Sequence, residues 1–137
     1  MLRSQSPFDG GASVTVLDMS GYAPLPFFPA VRPGRLGAVY EFRICRLRPG
    51  GPAPTLAGWR DAIVPARDYT DHLITNMHAL DGPPRITHIW AFEIHEQRAR
   101  LRANAYAAGA WPPKSGPENI LEAVSVIGLP EPMSPLH

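Results

Sequence analysis

The chain has 137 residues and a mass of 15.0 kDa, which suits one compact domain and leaves little room for a second. Hydrophobic residues make up 45%, so a sizeable core is available, while a net charge of +1 excludes holding nucleic acid or anionic lipid by charge alone. The one cysteine, Cys45, excludes an internal disulfide framework and a Cys-based zinc cluster.

Proline and glycine supply 29 of the 137 residues and punctuate the chain heavily. Ser13 to Leu17 (SVTVL), followed by Pro24-Leu25-Pro26-Phe27-Phe28-Pro29, echoes Ser125 to Leu129 (SVIGL) and its proline-rich tail. Residues 1–34 therefore read as the closing strand and tail of a preceding module, placed to add to a sheet edge or to exchange with a partner subunit. If that segment serves assembly alone, its removal alters oligomer size and nothing else.

Arg35 to Leu47 is rich in aromatic and branched residues and ends at Arg48-Pro49-Gly50-Gly51, a strand followed by a turn. Pro54-Thr55 opens a helix with an apolar stripe of Leu56, Trp59 and Ile63, which Pro65 distorts or finishes. His72 to Leu80 reads as a strand, Asp81-Gly82-Pro83-Pro84 as a hairpin loop, and Arg85 to Ile94 as the next strand. His95 to Ala108 has no proline or glycine and reads as a helix ended by Gly109. Ser115-Gly116-Pro117-Glu118 has capping-box spacing for a short helix through Leu121, and Ala123 to Leu129 is the last strand.

The order βαββαβ is that of an α+β, ferredoxin-like module over residues 35–137: a four-stranded antiparallel sheet with both helices on one face. The other face is left open, and a homodimer whose sheets close face to face would cover it. No apolar run approaches the ~20 residues needed to cross a bilayer. No targeting segment or membrane span is expected, and the lone thiol fits a cytoplasmic protein.

Alternation assigns the chemistry. Ile86, His88, Trp90 and Phe92 share one side of their strand, and the smaller set Thr87, Ile89 and Ala91 the other. Placing the smaller set under the helices sends His88 and Trp90 to the open face. Glu41 and Arg43 join them opposite Tyr40, Phe42 and Ile44, as does His78 with His72, Ile74 and Asn76. The expected ligand-binding set is Glu41, Arg43, His78, His88 and Trp90, with a histidine acid/base and an arginine for an anionic group. The plainer alternative is that Glu41 pairs with Arg43, the histidines hydrogen-bond locally and Trp90 fills space.

Other chemistries have little support. No HxxxH or HxH spacing exists, so no metal is expected, and Gly50-Gly51 lacks the pattern of a phosphate loop, so no cofactor is expected either. Arg98, Arg100 and Arg102 read as a solvated helix face with a salt bridge to Glu96, which makes no nucleic-acid partner. Cys45 reads as a small core residue.

Tyr40-Glu41-Phe42-Arg43 with Leu47-Arg48-Pro49-Gly50, then Ile86-Thr87-His88-Ile89-Trp90-Ala91-Phe92 with the Gln97-Arg98-Ala99-Arg100 helix, and the closing Met133-Ser134-Pro135-Leu136, resemble the NIPSNAP family. Cys45 and Arg46 stand where that family commonly has a hydroxyl and an aromatic residue. The resemblance implies a dimeric α/β barrel built from two ferredoxin-like halves, from a family that often carries tandem modules. It implies little chemistry, since animal members are associated with vesicle and mitochondrial binding and bacterial members are largely uncharacterised. The expectation is a homodimer binding a small ligand or a protein partner, with no assignable reaction. The alternative is a cofactor-independent monooxygenase or isomerase acting on a small aromatic or enolisable substrate, as the wider barrel superfamily includes. There His88 is the base and Arg43 holds an enolate or carboxylate, in one connected cavity of at least ~300 Å³.

Overall fold

Five strands and three helices follow one another in a computed structural model that describes residues 16–137. They are β1 (Tyr22–Pro24), β2 (Val39–Leu47), α1 (Pro52–Ala62), α2 (Arg67–Thr70), β3 (Leu73–Ala79), β4 (Arg85–Phe92), α3 (His95–Ala107) and β5 (Ile120–Gly128), with a 3-10 turn at Pro117–Asn119 ahead of β5. All neighbouring strands are antiparallel, in the order β1-β3-β4-β2-β5. Without β1 this is the split βαβ order expected for an α+β, ferredoxin-like module.

The sheet has five strands rather than four because Tyr22–Pro24 adds to the free edge of β3, pairing Ala23 with His78. The next residue, Leu25, is 1% exposed and belongs to the core. The segment ahead of residue 35 thus supplies both a strand and a core side chain to the same sheet. The expected strand at Ser13 to Leu17 falls mostly outside the described residues, and Val16 and Leu17 are exposed and not in a strand. β1 and β5 lie at opposite edges, so the sheet of one chain is not closed as a barrel.

Local signals set the element ends. Gly50, at φ +78°, turns β2 into α1, and Pro52 sits where a missing N–H costs nothing. The buried face of α1 is Thr55, Gly58, Trp59 and Ala62, so the helix is rotated from the expected Leu56–Ile63 stripe. The small residues on that face bring the helix close. A Cβ on Gly58 would lie 1.8 Å from the Lys114 carbonyl oxygen, so the loop after α3 is seated directly against α1.

The sheet faces are inverted relative to the alternation argument. Trp59 of α1 meets His88, Tyr69 of α2 stacks on Trp90, and Arg98 of α3 grips Glu41, so the His-Trp-Phe set lies under the helices. Only large side chains fill a layer gap of about 10 Å to the density of a protein interior, and Thr87 and Ala91 would leave it empty. The face away from the helices carries Tyr40, Phe42 and Ile44 of β2 opposite Gly128, Val126 and Val124 of β5. Tyr40 is buried there, its hydroxyl donating to the Leu136 carbonyl of the C-terminal tail, while Phe42, Ile44, Val124 and Val126 are exposed. A register shift between Leu73 and Thr75 breaks the β3 alternation, so Leu73 and Asn76 both lie opposite helix-side residues, Trp90 and His88.

Candidate functional site

Between sheet and helices lies a cavity of about 160 Å³. β2 contributes Arg43 and Cys45 to its lining, β4 contributes Ile86, His88 and Trp90, and α3 contributes Arg102 and Tyr106. Thr55 and Trp59 of α1, Tyr69 of α2 and the Trp111–Pro113 loop complete the walls. The chain's three tryptophans are Trp59, Trp90 and Trp111, and all of them line it. Tyr69 stacks on Trp90 with ring centroids 4.3 Å apart, and Trp111 stands edge-on to Trp59 at 5.0 Å and to Tyr69 at 5.3 Å. Such offset and edge-to-face pairs fix the walls in place.

His88 is held in one tautomer. The Trp90 indole Nε1–H donates to His88 Nδ1 at 2.7 Å, and an indole nitrogen only donates, so the imidazole hydrogen is on Nε2. Nε2 faces Cys45 Sγ at 3.8 Å. Burial pushes the His88 pKa down to about 3, with the Arg43 and Arg102 charges acting in the same direction and Glu41 opposing. The ring is therefore neutral, with its one lone pair engaged. A general base needs a free lone pair and a pKa near the working pH, and His88 has neither here.

Glu41 is 1% exposed and takes two 2.6 Å hydrogen bonds from Arg98 Nε and Nη2. Burial pushes its carboxyl up, but the hydrogen bonds from Arg98 and Ser125 and the Arg98 charge prevail, and its pKa ends below the ordinary value. Glu41 thus pairs with Arg98 rather than with Arg43, the partner in the plainer alternative, because Arg98 faces the sheet rather than solvent. Arg43 instead donates through Nη1 to Ser125 Oγ at 2.9 Å. Burial pushes the Cys45 thiol up, which keeps it protonated.

Of the five expected ligand residues, Arg43, His88 and Trp90 line one cavity. Glu41 is locked against Arg98, and His78, beside the β1 edge, is not part of the lining. Arg102 and Tyr106 were not expected. They follow Arg98 at intervals of four along α3, a spacing that places all three on one helix face. Arg102 holds Tyr106 through a 3.4 Å contact to the hydroxyl and by lying 5.5 Å from its ring centroid. Among the described residues no group of three or more His, Cys, Asp or Glu side chains is placed to hold a metal ion. No helix there is long and apolar enough to cross a membrane.

A family model described as NIPSNAP matches residues 40–135. The chain belongs to the NIPSNAP family. Two crystal structures of one Agrobacterium tumefaciens NIPSNAP family protein with unknown function are similar to it. One is 30% identical at a TM-score of 0.64, covering 72% of this chain and 99% of that one. The other is 28% identical at 0.66, covering 78% and 100%. A further Agrobacterium tumefaciens NIPSNAP structure, 24% identical at a TM-score of 0.63 over 72% of this chain and 98% of that one, shares the fold. Among curated proteins none matches. Neither the family model nor these neighbours assigns a reaction here.

Proposed function

We propose that this NIPSNAP chain is a homodimer that binds a small ligand in the cavity between sheet and helices of each subunit. One observation carries the ligand half: every tryptophan of the chain, with Arg43 and His88, converges on a single cavity. At about 160 Å³ it falls short of the several hundred typical of drug-sized ligands and matches a molecule of about one ring.

The dimer half rests on the other face. All residues from Leu121 to Ile127 of edge strand β5 are exposed, and Phe42, Ile44, Val124 and Val126 form an apolar surface with no cover from their own helices. A long apolar edge strand is a template for pairing, and closure of two such sheets face to face would build the dimeric α/β barrel. On this reading residues 1–34 descend from a preceding module, and the protein works in a reducing compartment such as the cytoplasm. Native mass spectrometry before and after denaturation tests both halves. The expected result is a dimer that sheds a small mass per subunit. A monomer overturns the dimer, and a ligand-free protein that also fails to take up any one-ring compound overturns the ligand half.

A further inference from the structure

The cavity's charge is one-sided. Arg43 and Arg102 line it, and no aspartate or glutamate does. The nearest buried acid, Glu41, is already neutralised by Arg98, and the imidazole of His88 carries no charge. Among the described residues neither Arg43 nor Arg102 meets a carboxylate, whereas Arg35, Arg46, Arg60, Arg85 and Arg98 each do. Both side chains are only partly exposed, and a partly desolvated guanidinium without an anion is costly.

A second observation is independent of charge. Thr55 is 0% exposed and lines the same cavity, and its hydroxyl has no hydrogen-bond partner among the described residues. Buried hydroxyls are normally satisfied, so this one is a donor without an acceptor.

Size and wall chemistry narrow the occupant. A cavity of about 150 Å³ holds a benzene-sized solute. The walls of Trp59, Tyr69, Trp90 and Trp111 present rings, which favour a flat body over a tetrahedral anion. Arg43 gives one N–H to Ser125 and Arg102 gives one to Tyr106, so both guanidiniums keep donors free for a planar oxyanion.

We infer that the ligand is a small planar carboxylate of about one ring, its anionic end taken by Arg43 and Arg102 with the Thr55 hydroxyl, and its body set against the tryptophan walls. This rests on the small-ligand reading of the cavity and adds to it the chemical class.

The test uses tryptophan fluorescence of the full chain, since all three reporters line the site. Benzoate, its neutral isostere benzamide, acetate and inorganic phosphate are titrated separately. Saturable quenching by benzoate is expected, with benzamide at least about tenfold weaker, as loss of a charge-assisted pair implies. Arg102→Met and Arg43→Met, each checked for an unchanged thermal transition, should weaken benzoate about tenfold and leave benzamide unmoved. Benzamide binding as tightly as benzoate overturns the carboxylate while the small-ligand reading stands, and this wild-type comparison needs no variant to fold. Phosphate binding in preference to benzoate overturns it equally. If no probe binds and the native protein sheds no mass, both readings fall.

Discussion

Acidification should weaken the fold through His88 before any carboxylate is involved. Burial holds the folded imidazole neutral down to about pH 3, whereas an unfolded histidine takes a proton near its ordinary value of 6.5. Between those values the unfolded chain binds one more proton than the folded chain, so stability falls as pH falls, at about 1.4 kcal/mol per pH unit. From pH 6.5, where the slope is half developed, to 4.5 this amounts to about 2 kcal/mol, a sizeable part of a typical domain stability. Below the ordinary carboxyl value of 4.5 Glu41 adds to the loss, because its lowered pKa gives stability that is present above that value and disappears as the folded carboxyl is protonated. Urea unfolding at fixed protein concentration, at several pH values from 7 to 4.5, reads the slope for the natural chain and for His88→Asn. The substituted amide would keep an acceptor for the Trp90 N–H and lose the titration. Parallel slopes for the two proteins would refute the argument, because they would mean that His88 protonates in the folded state as freely as in the unfolded one.

Arg98→Met should cost about 3–5 kcal/mol in denaturant unfolding, since it strands the Glu41 carboxylate, and adding Glu41→Gln should restore a large part of the loss. Gly58→Ala should destabilise by about 1–3 kcal/mol and disturb tryptophan fluorescence, because the added methyl meets the Lys114 carbonyl and forces the Trp111 loop away from α1. A wild-type transition would show that the loop gives way freely. Leu25→Ala should lower stability by about 2–4 kcal/mol at every protein concentration, as its side chain is 1% exposed in the core of its own chain. An effect on oligomer size alone would restore the view that the segment before residue 35 serves assembly only.

The element order was legible because its signals are local. The proline and glycine cluster after β2 marks the approach of α1, which opens at Pro52 rather than at the expected Pro54, and Gly109 ends α3, which the structure closes at Ala107. The aromatic and branched run in β4 permits little but a strand. Less local features were not legible. α2 is a four-residue turn of helix with no periodicity to detect, yet it supplies Tyr69, the ring stacked on Trp90. β1 is three residues long and depends on the free edge of β3, which is a fact about the assembled sheet. The β3 irregularity shifts Leu73 onto the same side as Asn76, which alternation by two does not foresee.

The grouping of Glu41, Arg43, His88 and Trp90 on one side of the sheet follows from strand alternation, and the register confirms it by pairing Glu41 with Trp90 and Arg43 with His88. Which side that is follows from filling the gap under the helices, which takes the large set, and charge makes the same choice. Helix α3 points Arg98 and Arg102 at the sheet, and Glu41 is the one carboxylate in β2, β3 and β4. An arginine stripe packed against a sheet needs that acid, so the face bearing Glu41 must be the face under the helices, and His88 and Trp90 go with it. The consequence is a separation of roles. The polar cluster and the tryptophans line the cavity between sheet and helices, Phe42, Ile44, Val124 and Val126 lie on the open face, and the hydrogen bond from Arg43 to its cross-strand partner Ser125 ties the cavity side of β2 to the edge strand β5.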